Sequence, residues 1–98
     1  MSETDIQNEI RMALSVYGIC LRMNTGVFKT DDGRTIKCGI QGTSDLLFVG
    51  NKYIAWIEVK TPTGKARPEQ LNFIRVMKEL GHRAGIARSV EEALEIIK

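Results

Sequence analysis

Two carboxylates and one amine stand at the ends of two apolar segments that follow each other in the chain. Asp45 opens the segment 45–49, and Glu58 and Lys60 close the segment 52–60. Both segments are rich in apolar, β-branched and aromatic residues, which predicts strands buried on both sides. Ionised groups at the ends of buried strands must be paired, hydrated or bound to a metal. These three side chains are therefore the first candidates for chemistry.

The turn between the two strands decides whether the carboxylates meet. Gly50-Asn51 is typical of a two-residue hairpin loop. That loop would make Asp45 and Glu58 diagonal neighbours on one face, with Cβ atoms about 7 Å apart. A four-residue loop would place them directly opposite each other, and only a three-residue loop or a bulge would separate them. We predict that Asp45, Glu58 and Lys60 converge on one face.

A purely structural alternative exists for the same residues. Glu58 and Lys60 could form a buried ion pair while Asp45 caps a turn. This alternative explains the pair but leaves the third charge without a role.

The kind of metal that could bind is limited by the ligands that the chain contains. The cysteines are Cys20 and Cys38, which form no C-x-x-C pair, and the single histidine is His82. A zinc site built on thiolates and imidazoles is therefore excluded by ligand count. Any metal would be held by oxygen, which favours magnesium or manganese. The cysteines are typical of small, reduced, half-buried residues in an intracellular protein.

Two further polar residues lie near apolar stripes of predicted helices. Gln70 stands one turn before Ile74, on the inward stripe of its helix. Glu9 lies at the edge of the stripe of the first helix, three residues after Ile6. Each has an ordinary alternative, since Gln70 could be a polar residue of a helix N-terminus and Glu9 a solvated flank.

The elements that would position these residues follow from periodicity and from helix and turn signals. The first helix is predicted to begin with Thr4 as its cap and to stop at Gly18, and a later helix to begin at Pro68. A hairpin is predicted with its tip at Asp31-Asp32-Gly33, and Ser89 is predicted to cap the last helix. The predicted order is α-β-β-β-β-α-β-α, an α/β class with a mixed β-sheet flanked by helices.

Composition and charge narrow the class of protein. The 98 residues are 27% charged and 43% hydrophobic, typical of one globular domain. No apolar run reaches the roughly 18 residues of a membrane span, and no leader opens the chain, so we expect a soluble protein with no membrane partner. The net charge is only +2, but the segment 60–88 carries seven basic and two acidic residues. That segment could contact phosphates if its side chains share a face, or could be an ordinary solvated surface.

Asp45 followed by Glu58-Val59-Lys60 resembles the spacing of the PD-(D/E)XK nuclease superfamily. The wider pattern of Glu9 in an N-terminal helix, the glycine-rich segment 39–45, the E-V-K tripeptide and Gln70 resembles the virus-type replication-repair nuclease (VRR-NUC) domain. The resemblance runs from Glu9 into the last predicted helix. One departure is the serine at position 44, where the superfamily has proline, a position that shapes the turn and donates no ligand.

The resemblance implies a restriction-endonuclease-like fold, with residues 1–98 forming a single VRR-NUC-like nuclease domain. It implies a hydrolase that cleaves DNA phosphodiesters with Mg²⁺ or Mn²⁺. The catalytic residues it implies are Asp45, Glu58, Lys60, Gln70 and Glu9.

The roles implied for these residues differ. Asp45, Glu58 and the carbonyl of Val59 would bind the metal, and Glu9 would bind a second ion, directly or through water. Lys60 would orient the attacking water or stabilise the pentavalent phosphorus. Gln70, on the later helix, would position the water or the phosphate.

Stand-alone VRR-NUC domains are similar to Holliday-junction resolvases, which act as homodimers on branched DNA. The resemblance therefore implies a role in DNA repair, a homodimer, and a bacteriophage or mobile-element origin with action inside a bacterial cell. The predicted hairpin would contact the dimer partner or the junction, although it could equally be a surface ribbon. The residues expected to bind nucleic acid are Lys65, Arg67, Arg75, Lys29, Arg34 and Lys37.

Two other functions stay open from the sequence. The first is a binding module that holds branched DNA without cutting it, against which the intact Asp45, Glu58 and Lys60 argue. The second is another nucleic-acid endonuclease on the same fold, for instance one that cuts RNA, and only substrate assays separate it from the first prediction.

Overall fold

The computed structural model describes residues 1–23 and 26–98, with the side chains at 26–28 and 36–38 outside that description. The chain is a mixed α/β protein, as predicted, with a four-stranded mixed sheet flanked by helices. Its elements are α1 (Glu3–Leu14), β1 (Ile19–Arg22), β2 (Gly26–Lys29), β3 (Thr35–Cys38), β4 (Leu46–Val49), β5 (Ile54–Val59), α2 (Pro68–Glu79), β6 (Arg83–Ala87) and α3 (Val90–Ile97).

The sheet that carries the candidate residues has the order β1-β4-β5-β6. The β1–β4 and β4–β5 pairs are antiparallel, and β5 and β6 are parallel. The β2–β3 hairpin forms a separate two-stranded sheet. In the described ranges five strands therefore precede α2, one more than the predicted order has, because that order does not count both strands of the predicted hairpin.

The first helix begins earlier than predicted. Ser2, and not Thr4, is its cap: the Ser2 hydroxyl accepts the Asp5 N–H, and the Asp5 carboxylate accepts the Ser2 N–H, both at 3.1 Å. This reciprocal capping box satisfies N–H groups that a helix start otherwise leaves without partners. Glu3 consequently lies inside the helix, in its first turn.

The two faces of the sheet are covered by different helices. The main core joins α1 and α3 to residues of β4 and β5 that alternate along the strands, which are Leu46, Phe48, Ala55, Ile57 and Val59. On the other face, α2 packs against Trp56, whose ring meets Phe73 edge to face at 5.1 Å. Because side chains alternate along a strand, α1 and α3 pack on one face of the sheet and α2 packs on the other.

The loop between β4 and β5 is longer than predicted. Val49 pairs with Ile54, so residues 50–53 form a four-residue loop, in which the Gly50 N–H donates to the Tyr53 carbonyl at 3.0 Å. A two-residue type I′ turn needs positive φ at both central residues. Neither Gly50 nor Asn51 has positive φ, so the two-residue prediction is wrong and the four-residue alternative is correct.

Within residues 1–23 and 26–98, none of the helices combines the length and apolar character needed to cross a bilayer.

Candidate active site

The register of β4 against β5 brings the two predicted carboxylates together. Leu46 pairs with Ile57, so Asp45 falls directly opposite Glu58 on the same face. The Asp45 carboxylate accepts the Val59 N–H at 2.8 Å. The Asp45 carbonyl accepts the N–H of Met23 at 2.8 Å. Asp45 is therefore fixed between the end of β1 and the end of β5.

Glu58 is a carboxyl group held out of water. It is 1% exposed, and in the ranges that the structure describes its Oε1 has no hydrogen-bond partner. Burial, then the hydrogen bond to Asp45 and the charge of Asp45, raise the pKa of Glu58 to about 9, against the opposing charge of Lys60. In the protein without a bound cation, Glu58 is therefore protonated at neutral pH.

Lys60 lies at the same end of the sheet. Its N–H donates to the Ala87 carbonyl at 3.1 Å, which continues the β5–β6 ladder, and its half-buried side chain is close enough for its charge to lower the pKa of Glu58. In the part of the chain that the structure describes, no ion pair within 4.0 Å joins Lys60 to Glu58. The purely structural alternative, a Glu58–Lys60 ion pair, is therefore not the observed arrangement.

The donor atoms at this end of the sheet suit a hard divalent cation. They are carboxylate oxygens of Asp45 and Glu58, with the backbone carbonyl of Val59 next to them in sequence. A buried carboxyl oxygen without a partner is costly unless something else binds it, and a cation would do so. Over the described ranges no group of three or more His, Cys, Asp or Glu side chains gathers at one point. Backbone and water oxygens would therefore complete the coordination.

Gln70 belongs to the first turn of α2, and its side chain is 6% exposed. Its Oε1 accepts the N–H of Arg67 at 2.9 Å, so it caps the helix, as the ordinary alternative for this residue predicts. The glycine-rich segment 39–44 packs beside this turn. Gly42 has φ +90°, and a Cβ there would lie 2.3 Å from the Glu69 carbonyl oxygen. Only glycine permits this approach between the segment that leads to Asp45 and the helix that carries Gln70.

The first helix carries two exposed acidic residues, Glu3 and the predicted Glu9. Glu9 lies away from the buried stripe of Ile6, Ile10 and Leu14. Glu3 lies on that stripe, three residues before Ile6, and its charge raises the pKa of Glu58. The same spacing is visible in the sequence, but a helix that begins with Thr4 as its cap does not include Glu3.

The predicted phosphate-binding residues of the 60–88 segment are all exposed. Lys65 and Arg67 lie on the loop between β5 and α2, and Arg75 lies on α2. Arg67 forms an ion pair with Glu69 at 3.5 Å. Arg75 pairs with Glu79 on the same helix at 2.7 Å. Exposed pairs of this kind contribute little stability and dissociate readily, which leaves the guanidinium groups able to exchange partners.

The β2–β3 hairpin carries the other predicted basic residues. Lys29 is exposed at the end of β2, and Arg34 pairs with Asp32 at 2.9 Å beside the predicted tip. The Lys37 side chain lies outside the described part of the structure, as does that of Cys38. Cys20 is a free, half-buried cysteine, as expected, and burial raises the pKa of its thiol.

Comparison with solved structures shows that the chain has a nuclease-like fold. It is similar to a structure described as a VRR_NUC domain, with a TM-score of 0.70 and 19% sequence identity over 99% of this chain and 96% of that one. The small subunit of a heterodimeric restriction endonuclease aligns with 86% of this chain and 46% of its own, at 20% identity and a TM-score of 0.42. No family model matches the sequence. No curated protein matches it either.

Proposed function

We propose that this protein is a metal-dependent endonuclease that hydrolyses DNA phosphodiesters, with Mg²⁺ or Mn²⁺ held by Asp45, Glu58 and the Val59 carbonyl. The observation that carries the proposal is the interacting pair Asp45 and Glu58 at neighbouring ends of β4 and β5, with a buried Glu58 oxygen that no group in the described part of the chain binds. The pair carries the charge that a divalent ion requires, and burial keeps competing water away from it. The nuclease-like fold is consistent with this chemistry.

The proposed reaction breaks one P–O bond while a water oxygen forms another. A bound divalent ion would polarise a non-bridging phosphate oxygen, lower the pKa of a coordinated water and offset negative charge in the transition state. Asp45 contributes a carboxylate whose orientation the Val59 N–H fixes. Glu58 must lose its proton when the cation binds, because the same oxygens cannot hold both.

Lys60 supplies a positive charge near the carboxylate pair. Its ammonium would orient the attacking water or stabilise the charge that grows on phosphorus-bound oxygens. Gln70 caps the start of α2, next to the segment that leads to Asp45, and its amide would position the water or the phosphate. For the acidic residue of the first helix, Glu9 stays the prediction, and Glu3 is a second candidate because its charge acts on Glu58. Either carboxylate would bind a second ion directly or through water.

We extend the proposal to branched DNA such as Holliday junctions, cut by a homodimer that nicks opposed strands, because the sequence resembles stand-alone VRR-NUC domains, which are similar to Holliday-junction resolvases. Apolar surface supports a second copy. Ile19 and Leu21, on the edge strand β1, are 62% and 45% exposed. Apolar side chains exposed side by side on a strand are typical of interaction surfaces. Lys65, Arg67 and Arg75, with Lys29, Arg34 and Lys37 of the hairpin, would contact phosphates of the flanking DNA.

The proposal is tested by incubating the pure protein with a four-way junction, a flap and linear duplex, each with Mg²⁺, Mn²⁺ or EDTA. Lys60→Ala is assayed beside the wild type. We expect metal-dependent cleavage of the junction that the Lys60→Ala protein lacks. Equal cleavage of linear duplex would contradict the branched-DNA part and leave the nuclease part standing. Tight binding to the junction without cleavage under any condition would favour the binding-module alternative, and cleavage of RNA alone would favour an RNA endonuclease.

A further inference from the structure

Arg88 belongs to the basic segment 60–88, but its guanidinium is directed at the protein backbone. The Nη1 group donates to the carbonyl oxygens of Thr61 and Gly64, both at 2.6 Å. The side chain is half-buried. Hydrogen bonds from a charged guanidinium are roughly twice as strong as neutral ones. The two carbonyls belong to the turn that begins directly after Lys60.

The backbone that carries this guanidinium is itself fixed on both sides. Arg88 follows Ala87, the last residue of β6, whose carbonyl accepts the Lys60 N–H at 3.1 Å. The Arg88 N–H donates to the Glu92 carboxylate at 2.7 Å, at the start of α3. The side chain therefore projects from a rigid junction between a strand and a helix.

The turn that Arg88 holds has few other constraints. The Gly64 N–H donates to the Thr61 carbonyl at 3.1 Å, which closes a single β-turn. Beyond it, the chain runs through the exposed Lys65 and Arg67 before α2 begins. In the described ranges no carboxylate lies within 4.0 Å of the Arg88 guanidinium, so the two carbonyls are its observed partners.

We infer that Arg88 is a positioning residue: it fixes the turn 61–64 and so holds the Lys60 ammonium and the Lys65 loop in place beside the carboxylate pair. The inference rests on the proposed function for its catalytic consequence, but the placement of the turn can be measured without activity. Arg88 acts through Lys60 and does not contact the phosphate.

The first test measures the turn itself by limited proteolysis with trypsin. Trypsin cleaves after Lys65, whereas Arg67 resists because proline follows it. We expect cleavage after Lys65 to be about tenfold faster in Arg88→Gln than in the wild type, because opening of the turn loses two charge-assisted bonds. Arg88→Lys, which keeps the charge but lacks the forked donor, should fall between the two. The matched control is Arg83→Gln, at the opposite end of β6, and it should cleave like the wild type.

Equal cleavage rates in the wild type and Arg88→Gln would overturn the inference. If Arg88→Gln does not fold, Arg88→Lys carries the test, and a wild-type rate in that folded variant would overturn the inference equally.

The second test separates positioning from phosphate binding, using junction cleavage and junction affinity. Positioning predicts that kcat falls by roughly tenfold in Arg88→Gln with little change in KM, and that Arg88→Lys recovers much of the loss. If Arg88 contacts a phosphate instead, Arg88→Gln should raise KM. The slope of log affinity against log salt should then also fall by about 0.9. That result would overturn the inference. If the wild type cleaves nothing, the proposed function fails, and the proteolysis result still decides the role of Arg88 in the turn.

Discussion

The β4–β5 pair has opposite environments at its two ends. At the loop end, the Phe48 ring lies beside two glycines, and a Cβ at either Gly18 or Gly50 would come within 2.9 Å of it. The same ring lines a cavity of about 530 Å³ together with Tyr17 and Tyr53. At the other end, Asp45 and Glu58 face each other, and a buried carboxyl oxygen has no partner.

The loop end of the pair stabilises the sheet, whereas the other end carries the residues that the site requires. The loop end buries an aromatic ring and gains free energy of folding from it. The carboxylate end sets the buried Glu58 beside the half-buried Asp45, and their mutual repulsion opposes folding until a cation or a proton neutralises the pair. Substitution of Glu58 at the carboxylate end should therefore lower activity and raise stability, whereas substitution of Phe48 at the loop end should lower stability.

The largest expected effect is on activity at the carboxylate end. Glu58→Gln removes a metal ligand but keeps the size of the side chain, so we expect the rate of junction cleavage to fall by about a thousandfold or more. The assay is metal-dependent cleavage at saturating Mn²⁺. The control is Glu95→Gln, an exposed glutamate that pairs with Lys98, which should retain the wild-type rate. Cleavage by Glu58→Gln within tenfold of the wild type would contradict the assignment.

The next effect is on stability at the loop end. Phe48 is 1% exposed, and Phe48→Ala should lower the free energy of unfolding by about 3–4 kcal/mol, because a cavity replaces the ring. Urea denaturation followed by circular dichroism measures the change. A loss below about 1 kcal/mol would show that the loop end is not the stabilising end of the sheet.

A smaller effect is expected where the glycine-rich segment meets α2. Gly42→Ala should destabilise the fold by about 2–3 kcal/mol, because φ is +90° and the new Cβ would collide with the Glu69 carbonyl. The matched control is Gly33→Ala in the β2–β3 hairpin. It has φ +87°, and no atom of the described residues lies within 4 Å of the new Cβ, so this variant measures the cost of backbone strain, about 1 kcal/mol. Equal losses for the two variants would refute the close contact between the segment and α2.

The smallest expected effect is the pH dependence of stability without metal. The pKa of Glu58 rises from its ordinary 4.5 to about 9 on folding, so the folded protein binds more protons than the unfolded chain between these values. Stability contributed by this group is full below pH 4.5 and is lost as pH rises toward 9. Glu58→Gln should remove this loss and be more stable than the wild type at pH 8 in EDTA. Denaturation curves of the two proteins are compared at pH 5 and pH 8. An equal fall in the stability of both proteins would show that a group other than Glu58 causes the loss.

Much of the fold was predictable because its signals are local. The apolar segments around Asp45 and Glu58, the proline that begins α2 and the serine that caps α3 each mark an element without reference to the rest of the chain. The fold class therefore followed from the sequence. Side-chain alternation also predicted that the two carboxylates share a face, for either a two-residue or a four-residue loop.

The sequence could not decide features that depend on tertiary contacts. The loop length follows from backbone dihedral angles at Gly50 and Asn51, for which the residue types allow several turns. The start of α1 follows from whether Ser2 or Thr4 reaches the helix N–H groups, and that choice decides whether Glu3 belongs to the helix. The two carbonyl contacts of Arg88 join residues 24 and 27 positions apart, which no local pattern contains.

The most direct test of the central claim is calorimetric titration of the protein with Mn²⁺ at pH 7, in two buffers with different ionisation enthalpies. Binding by the wild type should release about one proton, because the ion displaces the proton that Glu58 holds when its pKa is about 9. Glu58→Gln and Asp45→Asn should bind at least tenfold more weakly, and Glu58→Gln should release no proton. Absence of Mn²⁺ binding by the folded wild type, or equal binding by Glu58→Gln, would contradict the assignment of this carboxylate pair as the metal site.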